Sequence, residues 1–411
     1  MVRKNYIVGI DIGTSEVRVA MGEPRPDDTV NVIGLGLSPS DGVKKGVIVD
    51  LEKTVESIVS AIEEAERMAG FKIDSAYVAL KGLNIELINN RGVVAVTSED
   101  REIHEDDLER VLQATKVVAL PMDREIVDII PREYIVDGFD GIRDPVGMLG
   151  VRLEVDALVV TSLITSLHNL LRCVNRAGIN IKGIVLQALA NSEVFLSTDE
   201  RELGVFLIDI GGGTTEIAFF QQGKLHKLSV VPVGGDHITT DLAAGLRINH
   251  FVAEELKKDH GSALPSLAGS EPNIEITSVG SRERRLISEK EIAGFIEPRI
   301  KEIFQIISEE MIKMGWSYLP PAGIVLRGGV SSMKGIAEAA RVHFESDQVR
   351  LAEFEMVGIQ NPIYSTVVGL LHYVQRYQPR IFVQEKAVMG KKRNTISFWQ
   401  RLKDWFSDIV E

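Results

Sequence analysis

The chain has 411 residues, 45% of them apolar and 26% charged, which is enough for two or three domains and excludes a disordered or fibrous protein. Its net charge of -13, from 46 basic and 59 acidic side chains, argues against general nucleic-acid affinity, which depends on neutralising phosphates. The single cysteine, Cys173, has no partner for an intrachain disulfide, and it falls in a helical apolar pattern with Leu167, Leu170, Leu171 and Val174 that assigns it to core packing.

The N-terminus offers Met-Val-Arg-Lys and then a five-residue strand, too short for a secretory core, and no apolar run reaches the roughly 18 residues of a membrane span. A cytosolic protein is expected. The first element is a hairpin, from Tyr6 through Asp11-Ile-Gly-Thr-Ser to Gly22, and it recurs from Gly204 through Asp209-Ile-Gly-Gly-Gly-Thr-Thr to Gly223. Each copy reads as an apolar strand, Asp-Ile-Gly, a small-residue turn and a second β-rich run. The glycines let backbone N–H groups approach phosphate oxygens, and an Asp at the strand end can hold a hydrated Mg²⁺. One such hairpin is an ordinary turn signal; two matching copies indicate duplication, with two related lobes closing on a Mg-nucleotide. Aligning Glu16 with Glu216 makes the second turn two residues longer than the first.

After the first hairpin, Asp50 precedes an amphipathic helix from Leu51 that stops at Gly70, and the strand Ala76–Leu80 completes an α/β order. From 84 to 162 the texture changes to short strands with one helix over Glu105–Ala119, which reads as an inserted α+β subdomain. A helix from Leu163 to Ala177 and a strand from Ile181 return to the first lobe. Beyond the second hairpin, residues 236–315 read as mostly helical, broken around Pro265 to Asn273. The strand before Gly328-Gly329 and a helix from Tyr364 to Tyr373 close the second lobe and cross back to the first. Residues 378–395 lack a period and read as a linker.

Both hairpins, the helix start at Gln187, the segment from Val233 to Lys257 and the Leu326-Arg-Gly-Gly-Val turn resemble, in order and spacing, the nucleotide-binding segments of the actin/Hsp70/sugar-kinase superfamily. Within that frame, Lys44-Lys-Gly-Val-Ile-Val-Asp, Asp144-Pro-Val-Gly-Met-Leu-Gly and Pro232-Val-Gly-Gly-Asp-His are similar to the FtsA family of actin-like bacterial division proteins. The resemblance implies an α/β, actin-like two-lobed fold of duplicated ribonuclease-H-like domains, with an inserted α+β subdomain and a C-terminal amphipathic helix. The implied boundaries are 1–83 for the first lobe (subdomain 1A, completed by 163–193 and 361–378), 84–162 for subdomain 1C, 194–235 for the second lobe (2A, completed by 316–360) and 236–315 for 2B. A linker over 379–395 and a membrane-targeting helix over 396–411 follow.

The same resemblance implies ATP and Mg²⁺ as ligands. Asp11 and Asp209 would hold Mg²⁺ through water, and Gly13, Thr14, Ser15, Gly212, Gly213, Thr214, Thr215, Gly234 and Gly235 would cradle phosphates. Gln187 either orients the attacking water, as relatives do, or makes a helix-start hydrogen bond. Glu254 and Lys257 either contact the ribose and base or form a surface pair. Gly328 and Gly329 would let the adenosine-side loop approach closely. There the chain departs from the family's Thr-Gly-Gly-Gly, with Arg327 at the first position and Val330, which disfavours positive φ, at the last, so a departure in loop geometry is expected.

At the C-terminus, Trp399, Leu402, Phe406 and Ile409 recur at three and four residues, with Phe398 and Trp405 widening the stripe. This is the form of an interfacial helix, and the last 21 residues hold five basic and three acidic side chains, the right sign for anionic lipid. The alternative is a terminal helix docked on its own core or on a partner. The family further implies self-assembly into filaments, the C-terminal tail of FtsZ as a partner at Lys290, Arg299 and Lys301 unless these form a solvated helix face, other division proteins at 84–162, and no more than slow ATP hydrolysis. The expected location is the cytoplasmic side of the membrane at the division site. Two competing readings are an acceptor kinase of the same superfamily, for which no carboxylate base can be placed, and a pilus-assembly adaptor, which the Asp144 and Pro232 segments disfavour. His237 and His260 lack metal-ligand partners at useful spacing and read as structural.

Overall fold

The paired hairpins lie at the centre of two sheets of the same topology. The computed structural model describes residues 6–377, apart from 28, 83, 281–283, 357, 358 and 360. The expected linker and C-terminal helix, with Phe398, Trp399, Leu402, Trp405, Phe406 and Ile409, lie outside the described residues.

In the first lobe β1 (Ile7–Ile12), β2 (Glu16–Pro24) and β3 (Val30–Pro39) form an antiparallel meander, followed by the short pair β4 (Val43–Lys44) and β5 (Val47–Ile48). Helix α1 (Leu51–Ala69) starts where the Asp50 side chain accepts from the Lys53 N–H and stops at Gly70, which takes the left-handed conformation. β6 (Ser75–Leu80) then adds parallel to β1. The inserted subdomain carries β7 (Ile85–Ala95), α2 (Glu105–Ala114), β8 (Arg124–Val136), β9 (Phe139–Ile142) and β10 (Arg152–Leu163), its sheet ordered β7-β10-β8-β9. α2 ends five residues before the expected Ala119. β-branched Thr115, Val117 and Val118 and then Pro121 disfavour its continuation, and Val117 is exposed. α3 (Ile164–Arg176) and β11 (Asn180–Leu186) complete the first sheet, β11-β6-β1-β2-β3, and α4 (Gln187–Phe195) and α5 (Thr198–Leu203) lead out of it.

The second lobe repeats the plan: β12 (Val205–Ile210), β13 (Thr215–Gln221) and β14 (Lys224–Val231) form a meander. After α6 (Gly235–Leu246), α7 (His250–His260), the hairpin β15 (Ile274–Thr277) and β16 (Arg284–Ile287), and α8 (Glu289–Lys313), β17 (Ile324–Arg327) adds parallel to β12. α9 (Ile336–His343) and β18 (Val349–Leu351) finish the sheet, and α10 (Ser365–Tyr377) returns to the first lobe. The β15–β16 hairpin was not expected; only alternate residues on its inner face, Ile274, Ile276 and Ile287, are buried, too few to stand out in a polar stretch.

β12 is buried along its whole length, as a central strand packed on both faces should be. Phe206, Ile208 and Ile210 pack toward α6 and α8, while Val205 and Leu207 join a core shared with the first sheet, α4 and α10. Cys173 is fully buried in that shared core. The lobes are therefore joined through α4 and α10, beside the ends of β1 and β12.

One buried group in this frame gives a pH signature. Asp128 of β8 is 7% exposed and accepts only from the Ile129 N–H, and burial pushes its carboxyl up to about 7. The folded chain then holds a proton that the unfolded chain releases near 4, so this group makes stability fall as pH rises from about 4 to about 7. Asp128→Asn should remove that fall. Urea midpoints at pH 5 and pH 8 are expected to show the variant gaining a few kcal/mol on the parent between the two; a constant difference would contradict an unpaired buried carboxylic acid.

Candidate nucleotide site

Each hairpin ends in a turn closed by the same backbone bond. The Gly13 N–H donates to the Glu16 carbonyl and the Gly211 N–H to the Thr214 carbonyl, both at 3.0 Å. Ile12 lies opposite Val17 and Ile210 opposite Thr215, so the two turns have equal length and the expected two-residue difference is absent. Glu16 thus corresponds to Thr214, and the counterpart of Glu216 in the first hairpin is Arg18. This correction matters chemically: the cross-strand partner of Asp11 is a cation, and that of Asp209 is a carboxylic acid.

The turns meet across the lobes. A Cβ on Gly212 would lie 2.6 Å from Ser15 Oγ, one on Gly213 2.9 Å from Lys45 Cα and 3.0 Å from Thr14 Cγ2, and one on Gly234 2.4 Å from the Gly211 carbonyl oxygen. Thr14 Oγ1 accepts from the Gly46 N–H at 3.2 Å. Thr215 is fully buried with its hydroxyl donating to the Val233 carbonyl at 2.8 Å, so that side chain braces the sheet instead of facing the turn. The start of α6 is tied to the second turn, with the Gly235 and Asp236 N–H groups donating to the Gly211 and Gly212 carbonyls at 2.9 and 2.8 Å. Gly211 was not expected among the site residues.

Glu254 and Lys257 reach this same corner from α7. Lys257 Nζ donates to Glu254 Oε2 at 2.5 Å, Thr239 Oγ1 at 2.8 Å and the Gly235 carbonyl at 3.1 Å, so the pair is anchored at the start of α6. Gly328 carries the positive φ of the loop after β17, whereas Gly329 and Val330 lie in a 3-10 turn over Gly329–Ser332. The loop therefore does not require positive φ at Val330, and the expected departure in geometry does not arise. Val330 is buried, and its Cγ2 would sit 3.1 Å from a Cβ on Gly235.

Asp11 and Asp209 are both buried and both paired. Arg18 Nη1 lies 3.0 Å from Asp11 Oδ2. Asp209 Oδ2 accepts from Lys81 Nζ at 3.1 Å, Gln187 Nε2 at 3.1 Å and Arg327 Nη1 at 3.0 Å. Burial by itself would raise the Asp209 carboxyl, but Arg327 and Lys81 outweigh it and hold it down to about 2. Opposite it on β13, burial pushes Glu216 up to about 7 despite Lys81. Glu216 Oε2 and Gln187 Oε1 are buried acceptors without a hydrogen-bond partner. Two carboxylates plus two unsatisfied acceptors suit a hydrated Mg²⁺, and glycine at 212, 213 and 234 is what lets the two turns approach one another beside them. The fit is to a metal held through water by Asp11 and Asp209. The cations Arg18 and Lys81 were not foreseen: Arg18 faces Asp11 only in the register the hairpin adopts, and Lys81 stands after an apolar strand 128 residues from its partner.

The residues expected to receive a partner lie on α8. Arg299 grips Asp241 of α6 through Nε and Nη2 at 2.6 and 3.0 Å and also contacts Glu302, so its charge is already used within the subdomain. Lys301 is exposed beside Glu297, and Lys290 is exposed with its N–H on the Gly269 carbonyl. A cavity of about 540 Å³ between α8 and α9 is lined by Leu264, Ile300, Lys301, Phe304, Val342 and His343. His237 Nδ1 accepts from the Gly234 N–H, and His260 Nδ1 lies 3.6 Å from Glu289. No described helix is long and apolar enough to cross a membrane, and no group of three metal-ligating side chains occurs among the described residues.

The solved structures this chain is similar to include a PilM-PilN type IV pilus biogenesis complex (TM-score 0.60, 16% identity, 90% of this chain and 98% of that one). MreB 5 of Spiroplasma citri bound to AMPPNP is another, with TM-score 0.54 and 15% identity over 90% of this chain and 95% of that one. Both likenesses bear on the fold, which is actin-like. The family described as cell division protein FtsA matches residues 206–369, and the SHS2 domain inserted in FtsA matches 82–161. The cell division protein FtsA of Bacillus subtilis (strain 168) is 46% identical over 90% of this chain and 83% of its own length, and that of Pseudomonas aeruginosa 44% over 89% and 88%. The corresponding protein of Escherichia coli (strain K12) is 37% identical over 90% of both chains. With a shared fold, the inserted subdomain and identity at this level along nine-tenths of its length, the chain belongs to the FtsA family of cell division proteins.

Proposed function

We propose that the chain is an ATP-binding, filament-forming actin homologue that anchors the FtsZ ring to the inner face of the cytoplasmic membrane and recruits other division proteins through residues 84–162. Its family membership places it in cell division. The observation that carries the nucleotide part is the meeting of two glycine turns beside the buried carboxylates Asp11 and Asp209. Mg²⁺, when bound, would neutralise phosphate charge there. Gln187, held to Asp209 through Nε2, keeps Oε1 free to accept from a water, which supports slow hydrolysis at most. In this reading 396–411 is the membrane anchor. The FtsZ tail docks on the cavity between α8 and α9, where exposed Lys301, paired with Glu297 at 2.8 Å, would exchange that partner for an acidic group of the tail over an apolar floor of Ile300 and Phe304.

Co-sedimentation with anionic vesicles tests the reading. The full chain should pellet with vesicles and carry FtsZ with it, and a chain ending at residue 395 should do neither. Lys301→Glu should still pellet but lose FtsZ by about a hundredfold or more in affinity, because a like charge facing an acidic tail can cost several kcal/mol. Arg299→Glu is the poorer probe, since it would set three carboxylates together with Asp241 and Glu302. Vesicle binding that survives truncation would remove the anchor, and unchanged FtsZ binding by Lys301→Glu would move the docking surface elsewhere.

A further inference from the structure

We propose that Arg327 is a resident counter-ion of Asp209 that ties the two lobes together and competes with a divalent cation for that carboxylate. The proposal rests on the nucleotide-site reading above and concerns the one position in the adenosine-side loop where this chain places a cation. β17 runs parallel to β12 with Arg327 in register with Asp209, so the guanidinium is delivered directly to the carboxylate, Nη1 lying 3.0 Å from Oδ2. The same Nη1 is 3.1 Å from Thr366 Oγ1, and Nη2 is 3.3 Å from Ser365 Oγ, both at the start of α10. The guanidinium carbon stands 5.0 Å from the centre of the Phe195 ring on α4. One side chain, 11% exposed, thereby touches a strand of the second lobe and two helices that pack in the first.

Only a fork of donors can do this, since the guanidinium satisfies a carboxylate and two hydroxyls in one plane while stacking on an aromatic ring. A threonine has neither the reach nor the charge. Lys81 already supplies a second cation to Asp209 at 3.1 Å from the first lobe. A divalent ion approaching this carboxylate therefore meets two positive charges in a buried, weakly screened setting, and it must displace or crowd the guanidinium. Filling the metal site and keeping the Arg327 link between lobes become alternatives.

The test is a magnesium titration of fluorescent-ATP-analogue binding to the parent, Arg327→Thr, Arg327→Gln and Arg327→Lys. It is paired with thermal melting of each nucleotide-free protein in EDTA and in magnesium chloride. Removing a competing charge-assisted contact should lower the magnesium midpoint by about tenfold in the Thr and Gln variants, while Lys stays near the parent. Without nucleotide, the neutral variants should melt earlier than the parent in EDTA and recover part of the loss in magnesium, and the parent should not respond. A brace with no bearing on the metal would lower the melting temperature and leave the magnesium midpoint and the magnesium response unchanged in both neutral variants, and that result overturns the proposal. Should the parent bind no nucleotide at any magnesium level, the ATP reading falls, and the melting arm alone decides whether Arg327 guards the carboxylate.

Discussion

Asp209→Ala is expected to weaken Mg-ATP binding by about a hundredfold or more and to lower stability by about 3–5 kcal/mol, because it leaves two buried cations without their shared partner. Lys81 Nζ and Arg327 Nη1 both rest on the same carboxylate oxygen, and their side chains are 16% and 11% exposed. With the carboxylate gone, neither cation has another ion-pair partner among the described residues. Calorimetric titration with Mg-ATP and urea unfolding measure the two effects separately. Asp209→Asn keeps the shape and one acceptor and removes the charge, so affinity should fall as in the Ala variant while stability falls less. An Ala variant that titrates like the parent would take Asp209 out of the site.

Gly328→Ala should be nearly as damaging, for a steric reason. Gly328 has φ 94° and ψ 173°, a region open essentially to glycine alone, and holding another residue there costs about 1–3 kcal/mol. The added Cβ would also stand 2.4 Å from the Ile210 carbonyl oxygen and 2.5 Å from Asp209 Oδ1, so either the loop or the carboxylate must move. Loss of measurable nucleotide binding with a lowered melting temperature is expected. Its neighbour provides the control: Gly329 is exposed, does not take positive φ, and a Cβ there meets nothing within 4 Å. Gly329→Ala should change stability by no more than about 0.5 kcal/mol. Equal effects at the two positions would show that the loop is not held against Asp209.

The α/β order, the duplicated hairpins and the inserted subdomain were legible because each rests on short-range signals. Asp-Ile-Gly marks a strand end and its turn wherever it stands, the caps at Asp50 and Gly70 act within one turn of helix, and α1 shows its buried face at helical spacing. Legibility failed where local patterns compete. The run after Ala114 carries on the apolar spacing of α2, but its β-branched residues release the helix. Glu16 and Glu216 look alike in the sequence, yet strand register pairs Arg18, not Glu16, with the position of Glu216.

The sequence by itself determined that two glycine-bearing turns of one pattern exist, that an acid stands before each, and that the chain carries the segments of one family. Tertiary structure alone decided what each acid faces. Lys81 and Arg327 reach Asp209 across 128 and 118 residues, and Asp241 takes up Arg299 across 58. No local propensity encodes such pairs. A side chain's charge is a property of the residue, but its counter-ion is set by which strands lie side by side and which helices cross between the lobes, and in a buried site that choice sets protonation, metal access and the coupling of the lobes.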